Sequence, residues 1–178
     1  MAGIEGKQTL VTGAASEVGR AIVQALVAEG ARVIAVDTTD EAAEQATLEL
    51  GLADADEVIT RGLDDSDLGG WWDLSNLIAA FYHELDAFVH LPQGRASESL
   101  PLAVDRLKAA FANAAEAEPG RVSIVVVARD ADEAASSAAS KLRNEGLEVR
   151  LHALEPGDPD ATAKTVVERI CSGGDRNE

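Results

Sequence analysis

Residues 8–37, QTLVTGAASEVGRAIVQALVAEGARVIAVD, constrain the fold more than any other stretch of the chain. Residues 9–11 form a short apolar strand. Gly13 follows at once, where a tight turn wants a residue without a Cβ. From Gly19 the apolar spacing becomes helical, with Ile22, Val23, Leu26 and Val27 on one face. Gly30 is placed to stop that helix. Residues 32–36 are a second, β-branched strand, closed by Asp37. A strand, a glycine-bearing turn, a helix and a strand ending on an acid make the first half of a dinucleotide-binding unit. A pyrophosphate would sit on the helix N-terminus and the acid would bind a ribose.

The remaining sequence repeats the alternation. Residues 40–50 are a second helix, with Asp40 as N-cap and Gly51 as stop. Residues 57–63 hold a third strand, followed by Asp64-Asp65-Ser66-Asp67 and a break at Gly69-Gly70. Residues 71–85 are a third helix whose expected core face is Trp72, Leu74, Leu77, Ile78, Phe81 and Leu85. Trp71 and Trp72 are adjacent, so a helix can bury only one of them fully. Residues 87–90 are a fourth strand, 90–99 a loop, and 102–117 a fourth helix ended by Pro119-Gly120. Residues 122–128 are a continuous Val/Ile-rich run, expected when both faces of a strand are buried. A fifth helix over 132–144, a sixth strand over 147–154, a last helix over 161–171 and a polar tail over 172–178 complete the chain. With no linker and no repeat, residues 1–178 are expected to form a single domain. The class is α/β: a doubly wound parallel sheet of about six strands, order 3-2-1-4-5-6, with helices on both faces.

Composition narrows the partners. A length of 178 residues with 46% hydrophobic but only 3% aromatic residues implies one core built from Ala, Val, Leu and Ile. A net charge of −17 repels nucleic acid and anionic membrane alike. Scarce Lys beside abundant acid fits either a salt-adapted surface or an ordinary acidic one. The lone cysteine, Cys171, cannot form an internal disulfide. The three His, at 83, 90 and 152, show no metal-ligand spacing. The chain has no apolar run of the ~18 residues a membrane span needs and no signal-peptide core at its start, so a cytoplasmic location is expected.

The motifs together resemble the short-chain dehydrogenase/reductase family, from about residue 6 to about residue 170. Thr12-Gly13-Ala14-Ala15-Ser16-Glu17-Val18-Gly19 matches the family's opening Thr-Gly-x-x-x-Gly-x-Gly, except at Glu17. Asp37 stands where NAD-preferring members carry the ribose-binding acid. Asp64-Asp65-Ser66-Asp67 matches the Asp-x-x-Asp after the third strand, whose first acid meets the adenine. Residues 85–89 and 154–157 match the stretches around the fourth and sixth strands. The resemblance implies a Rossmann-like fold, NAD as cofactor, and Thr12, Gly13, Ser16, Glu17, Val18, Gly19, Asp37, Asp64 and Asp65 as its binding residues. It also implies assembly, as a homo-oligomer or with a full-length relative. The helices flanking the fifth strand would carry the contact, and Leu107, Lys108 and Phe111 would lie there.

The departures shape the functional expectation. Glu17 puts a carboxylate where backbone should approach the pyrophosphate, and is expected to fill that anion site by bonding to amides at the helix start. The family's Asn-Asn-Ala-Gly is His90-Leu91-Pro92-Gln93-Gly94 here. Its Ser at the end of the fifth strand is absent from Val127-Ala128-Arg129-Asp130, and Ser137 stands where Tyr should precede Lys141 by four residues. The only tyrosine is Tyr82. The expectation is therefore a truncated, degenerate member with weak or vestigial NAD binding, no catalytic residues, no metal, and a binding or assembly role. The alternative is a working NAD-dependent oxidoreductase of carbonyls or alcohols, with a non-standard proton donor such as His90 or Lys141.

Overall fold

The computed structural model describes residues 3–117 and 121–172. They form six strands and six helices in strict alternation: β1 (Gln8–Thr12), α1 (Glu17–Ala28), β2 (Arg32–Asp37), α2 (Asp40–Glu49), β3 (Val58–Gly62), α3 (Leu68–Phe81), β4 (Ala87–His90), α4 (Ala96–Ala117), β5 (Ser123–Val127), α5 (Ala131–Asn144), β6 (Arg150–Leu154) and α6 (Pro159–Cys171). All strand pairs are parallel, and the sheet order is β3-β2-β1-β4-β5-β6, as the alternation predicts. The order reverses between β1 and β4, so the crevice at their C-terminal ends is the natural ligand position.

The period of two along each strand divides the core into two layers. Leu10, Ile34, Phe88 and Ile124 face α3, α4 and α5. Val11, Val33, Val89 and Val125 face α1 and α6. Every residue of β5 is buried, which explains the apolar run over residues 124–127. At the N-terminal ends of the strands, Asp86 accepts from the Gln8 amide at 2.9 Å and pairs with Arg121. This ties β1, β4 and the approach to β5 together.

Several boundaries differ from the sequence expectation for identifiable reasons. Thr39, not Asp40, caps α2: its Oγ1 accepts from the Ala42 amide at 3.1 Å. Asp40 turns instead to the Gly62 amide at 2.6 Å, joining α2 to the end of β3. The Gly69-Gly70 pair does not break the chain but lies in the first turn of α3, because the Asp67 carboxylate caps that turn through the Gly69 amide. The core stripe of α3 runs through Trp71, Leu74 and Ile78. Trp72 and Phe81, expected in the core, are 57% and 73% exposed. Trp71 takes the buried place because its ring packs edge-on to Phe88 and its Nε1–H donates to the Asp65 carbonyl at 3.0 Å. The helix ends at Phe81, and His83 adopts a left-handed φ of 64° before Leu85 enters the core. α4 begins at Ala96, inside the expected loop, and carries Pro101 within it. β6 is confined to Arg150–Leu154, shorter than the 147–154 expected. Ser172 is the C-cap of α6 rather than part of a tail. Pro119-Gly120 and residues 173–178 lie outside the described residues.

Candidate functional site

The turn between β1 and α1 has the backbone that a dinucleotide loop needs. Gly13 sits at φ +68°, and a Cβ there would meet the Leu91 carbonyl at 2.6 Å. A Cβ on Gly19 would come within 2.0 Å of the Gly13 carbonyl, so only glycine lets α1 close on β1. Ser16 is the N-cap: its Oγ accepts from the Gly19 amide at 3.0 Å and donates to the Gly13 carbonyl at 2.7 Å. Among the described residues nothing hydrogen-bonds to the amides of Glu17 and Val18, the first two of the helix. Two unpartnered amides at the positive end of a helix dipole form an anion site, and the turn therefore fits a pyrophosphate.

Glu17 lies in that first turn with its side chain exposed. It does not bond to the helix-start amides, contrary to the sequence expectation. Ser16, with its shorter side chain, already caps the turn, and a Glu in the first helical position points outward from its own amides. The residue nonetheless lies in the same helical turn as the two unpartnered amides.

At the end of β2, Asp37 Oδ2 accepts from the Ala15 amide at 2.8 Å, and Oδ1 accepts from the Thr38 amide at 2.8 Å. The acid thus braces the glycine turn and keeps lone pairs free for a further donor. Thr12 shares the buried end of β1 with His90. The Asp64 carboxylate closes a local turn through the Ser66 amide and hydroxyl, and these bonds hold its pKa below the usual range. Asp65 accepts from the Gln93 amide at 2.9 Å, while burial pushes its carboxyl pKa up. Asp64 and Asp65 share a hollow of about 380 Å³ with Gln93, Gly94 and Ser99. The structure therefore gathers the nine residues expected from sequence along the C-terminal ends of β1, β2 and β3.

A second cleft, of about 560 Å³, opens over the ends of β1, β4 and β5. Ser16 and Val18 form one wall, Leu91 and Pro92 the floor, and Arg95, Arg129 and Asp130 the far side. Among the described residues, none that line it is a Tyr, Lys, His or Cys. Ser137 is exposed on α5. Lys141, one turn further along, is held by Asp105 at 3.2 Å on α4. Tyr82 lies between α3 and the start of β4, toward the N-terminal ends of the strands, whereas the cleft opens at their C-terminal ends.

His90 is fully buried. Its Nδ1 is 2.8 Å from Thr12 Oγ1 and its Nε2 is 2.7 Å from Ser99 Oγ. Ser99 Oγ donates to the Arg95 carbonyl at 3.3 Å, and Thr12 Oγ1 accepts from the Leu91 amide at 3.2 Å. The network assigns the tautomer: Nε2 carries the proton to Ser99, and Nδ1 accepts from Thr12. Burial drives the imidazole pKa down to about 3. His90 is a neutral brace between β1, β4 and α4, not a proton donor at the cleft. Lys141 is likewise removed from it. The proton donors named by the alternative expectation are thus not at the site. Leu107 and Phe111, expected at an assembly surface, are buried in the core. Only Lys108 of that trio is exposed, paired with Asp105 and Glu145.

The residue missed from sequence is Asp130. Its carboxylate accepts from the Ala96 amide at 3.1 Å, the Ser97 amide at 3.0 Å and Ser97 Oγ at 2.9 Å. It caps α4 from the end of β5, and these bonds lower its pKa. No local spacing marks a cap supplied from 33 residues away.

Residues 7–91 match the short chain dehydrogenase family. D-threitol dehydrogenase of Mycolicibacterium smegmatis is 37% identical over 89 residues, which make up 49% of this chain and 33% of that protein. The match thus spans about a third of the relative's length. Solved structures extend the likeness to almost the whole chain. A metagenomic short-chain oxidoreductase in complex with NADP superposes with a TM-score of 0.75 at 20% identity, covering 94% of this chain and 92% of that one. A putative short-chain dehydrogenase from Novosphingobium aromaticivorans gives 0.76 at 17% identity, over 97% and 80%. The 3-ketoacyl-(acyl-carrier-protein) reductase of Brucella melitensis, complexed with NADH, gives 0.73 at 18% identity, over 94% and 91%. At these identities the structural likeness establishes the fold.

Proposed function

We propose that this chain, which belongs to the short-chain dehydrogenase/reductase family, binds a nicotinamide dinucleotide weakly, prefers NAD, and serves as a binding or assembly subunit rather than as a dehydrogenase. The cofactor would supply the hydride chemistry. The chain's own contribution would be the Glu17 and Val18 amides beneath the pyrophosphate, Asp37 beside the adenosine ribose, and the hollow at Asp64 and Asp65 for the adenine. Cofactor complexes of structural relatives with NADP and with NADH support a nicotinamide dinucleotide as the ligand class.

The observation that carries the non-catalytic reading is the wall of the 560 Å³ cleft. Carbonyl reduction needs a proton donor beside the substrate oxygen as hydride arrives. The fifth strand ends in Ala128-Arg129 and the fifth helix offers Ser137. An aliphatic hydroxyl is too weak an acid for that task, and the lone phenol lies toward the opposite end of the strands. Glu17 supports weak binding, because a unit charge ~4 Å from a phosphate charge costs ~1 kcal/mol in water and ~4 at an effective dielectric of 20, and an exposed carboxylate lies toward the lower figure.

The test is a titration of the purified chain with NADH and NADPH, followed by a turnover screen on ketones and alcohols. NADH is expected to bind more tightly than NADPH, since Asp37 repels a 2′-phosphate and Thr38-Thr39 supply no Arg to offset it. No turnover is expected. Tighter NADPH binding would remove the NAD assignment, and turnover on any substrate would remove the subunit role.

A further inference from the structure

Net charge across this chain is −17, yet the cleft beside the glycine turn is lined by two guanidinium groups. Arg129 is exposed, and among the described residues it has neither an ion pair nor a hydrogen bond. Arg95 is 63% exposed and only loosely paired, 3.9 Å from Asp130 and 3.5 Å from Glu133. Asp130 is the one acid on the cleft wall, and its two oxygens are taken up by the start of α4. The rest of the wall is largely apolar, through Val18, Leu91, Pro92, Val127, Ala128 and Pro156. A cleft with an unpaired cation at one side and apolar walls around it selects for an amphipathic anion.

We propose that this cleft binds a small carboxylate with an apolar body, its carboxylate held by Arg129 and supported by Arg95. The proposal rests on the cleft being the family's ligand site, and the experiment separates the two claims. The planar fork of Arg129 suits bidentate pairing with a carboxylate. A phosphate dianion would bring a second negative charge into an acidic molecule and nearer to Glu17, so the single charge is favoured. A dinucleotide's pyrophosphate would lie along the Ser16 and Val18 wall of the same cleft, which leaves the Arg95 and Arg129 side to the carboxylate. A volume of about 560 Å³ admits a ring or a short chain beside the cofactor.

The experiment is calorimetric titration of the full chain with benzoate, benzyl alcohol and phenyl phosphate, each with and without NADH. Arg129→Ala tests the contact, and Arg129→Lys keeps the charge while removing the fork. Lys164→Ala, on α6 and away from the cleft, is the control. Both positions are exposed, and circular dichroism checks that each variant is folded. Benzoate is expected to bind saturably and more tightly than either analogue. Its affinity should fall on the order of tenfold or more in Arg129→Ala, by less in Arg129→Lys, and not at all in Lys164→Ala. The proposal is overturned by no saturable benzoate binding, by equal affinity in Arg129→Ala, or by tighter phenyl phosphate. It is also overturned if Arg129→Ala weakens NADH and leaves benzoate unchanged. Benzoate binding through Arg129 without any NADH binding supports this proposal while removing the cofactor reading. NADH binding without benzoate binding does the reverse.

Discussion

At the scale of single residues, Glu17 and His90 each make a prediction that can be measured. Glu17 stands exposed in the first turn of α1, with Ser16 already capping the helix. Its contribution to the ligand-free chain is the dipole interaction alone, ~0.3–1 kcal/mol. Glu17→Gly loses that and adds backbone freedom worth roughly 0.5–1 kcal/mol. The variant should therefore melt a few degrees lower yet bind NADH more tightly, on the order of tenfold if ~1.4 kcal/mol of repulsion goes. Unchanged NADH affinity would make Glu17 a bystander. His90 is the second case. In an unfolded chain its imidazole titrates near ~6.5, but in the fold it is pushed down to about 3. Between those values the unfolded state binds more protons. The stability held above pH ~6.5 is therefore lost as pH falls toward 3, by up to ~1.4 kcal/mol per pH unit. Urea unfolding at pH 7.5 and 4.5 should show the parent losing ~2–3 kcal/mol more than His90→Asn, in which that titration is absent. Equal losses would mean that His90 is solvated in the folded protein.

Elements are where tertiary contacts overrule local signals. α4 starts at Ala96 because Asp130, at the far end of β5, caps its first two amides. Asp130→Ala leaves both amides and Ser97 Oγ without that partner. A cap of this kind contributes typically ~1–2 kcal/mol. Chemical denaturation should register a loss of that size, with Ser97→Ala, which removes only the hydroxyl bond, losing less. No loss would show that water replaces the carboxylate fully. The same logic explains what was legible in the sequence. β1, α1, β2 and β5 announce themselves because glycine position and apolar period are properties of the segment itself. Parallel pairing and strand order then follow from the alternation. The start of α4, the exchange of Thr39 for Asp40 as cap, and the burial of Trp71 in place of Trp72 depend on Asp130, Gly62 and Phe88. Those partners are distant in sequence, and spacing cannot reveal them. At the site, the positions of the glycine turn and of Asp37 are readable because a tight turn needs glycine and Asp37 closes a β-branched run. The outward turn of Glu17 and the neutral bracing by His90 were not, because both depend on which neighbour already satisfies the amides and hydroxyls around them.

At the scale of the whole molecule, charge is the dominant unexplained property. Thirty-two acidic side chains face fifteen basic ones. Several of the basic groups are committed to particular acids: Arg121 to Asp86 and Glu84, Lys108 and Lys141 to Asp105, and Arg20 to Glu49. Apart from Arg121–Asp86, whose acid is buried, these pairs are exposed or half-exposed and contribute little each, at most ~1 kcal/mol. They leave the excess acid to repel itself across the surface. That repulsion acts over a Debye length of about 10 Å at 0.1 M salt, shrinking to about 3 Å at 1 M. In the compact state the acids are closer together than in the unfolded chain, so the destabilisation falls mainly on the fold. Potassium chloride should therefore raise the melting temperature steeply from ~0.01 M to ~1 M, the range over which screening changes most. Sodium chloride should act alike, since screening depends on ionic strength rather than on the cation. A melting temperature that stays flat across the series would show that the acids are spaced widely enough for water alone to separate them, and the acidity would then be no adaptation to salt. A rise with potassium but not sodium would point to specific cation binding instead of screening. The expected result is parallel rises of several degrees in both salts.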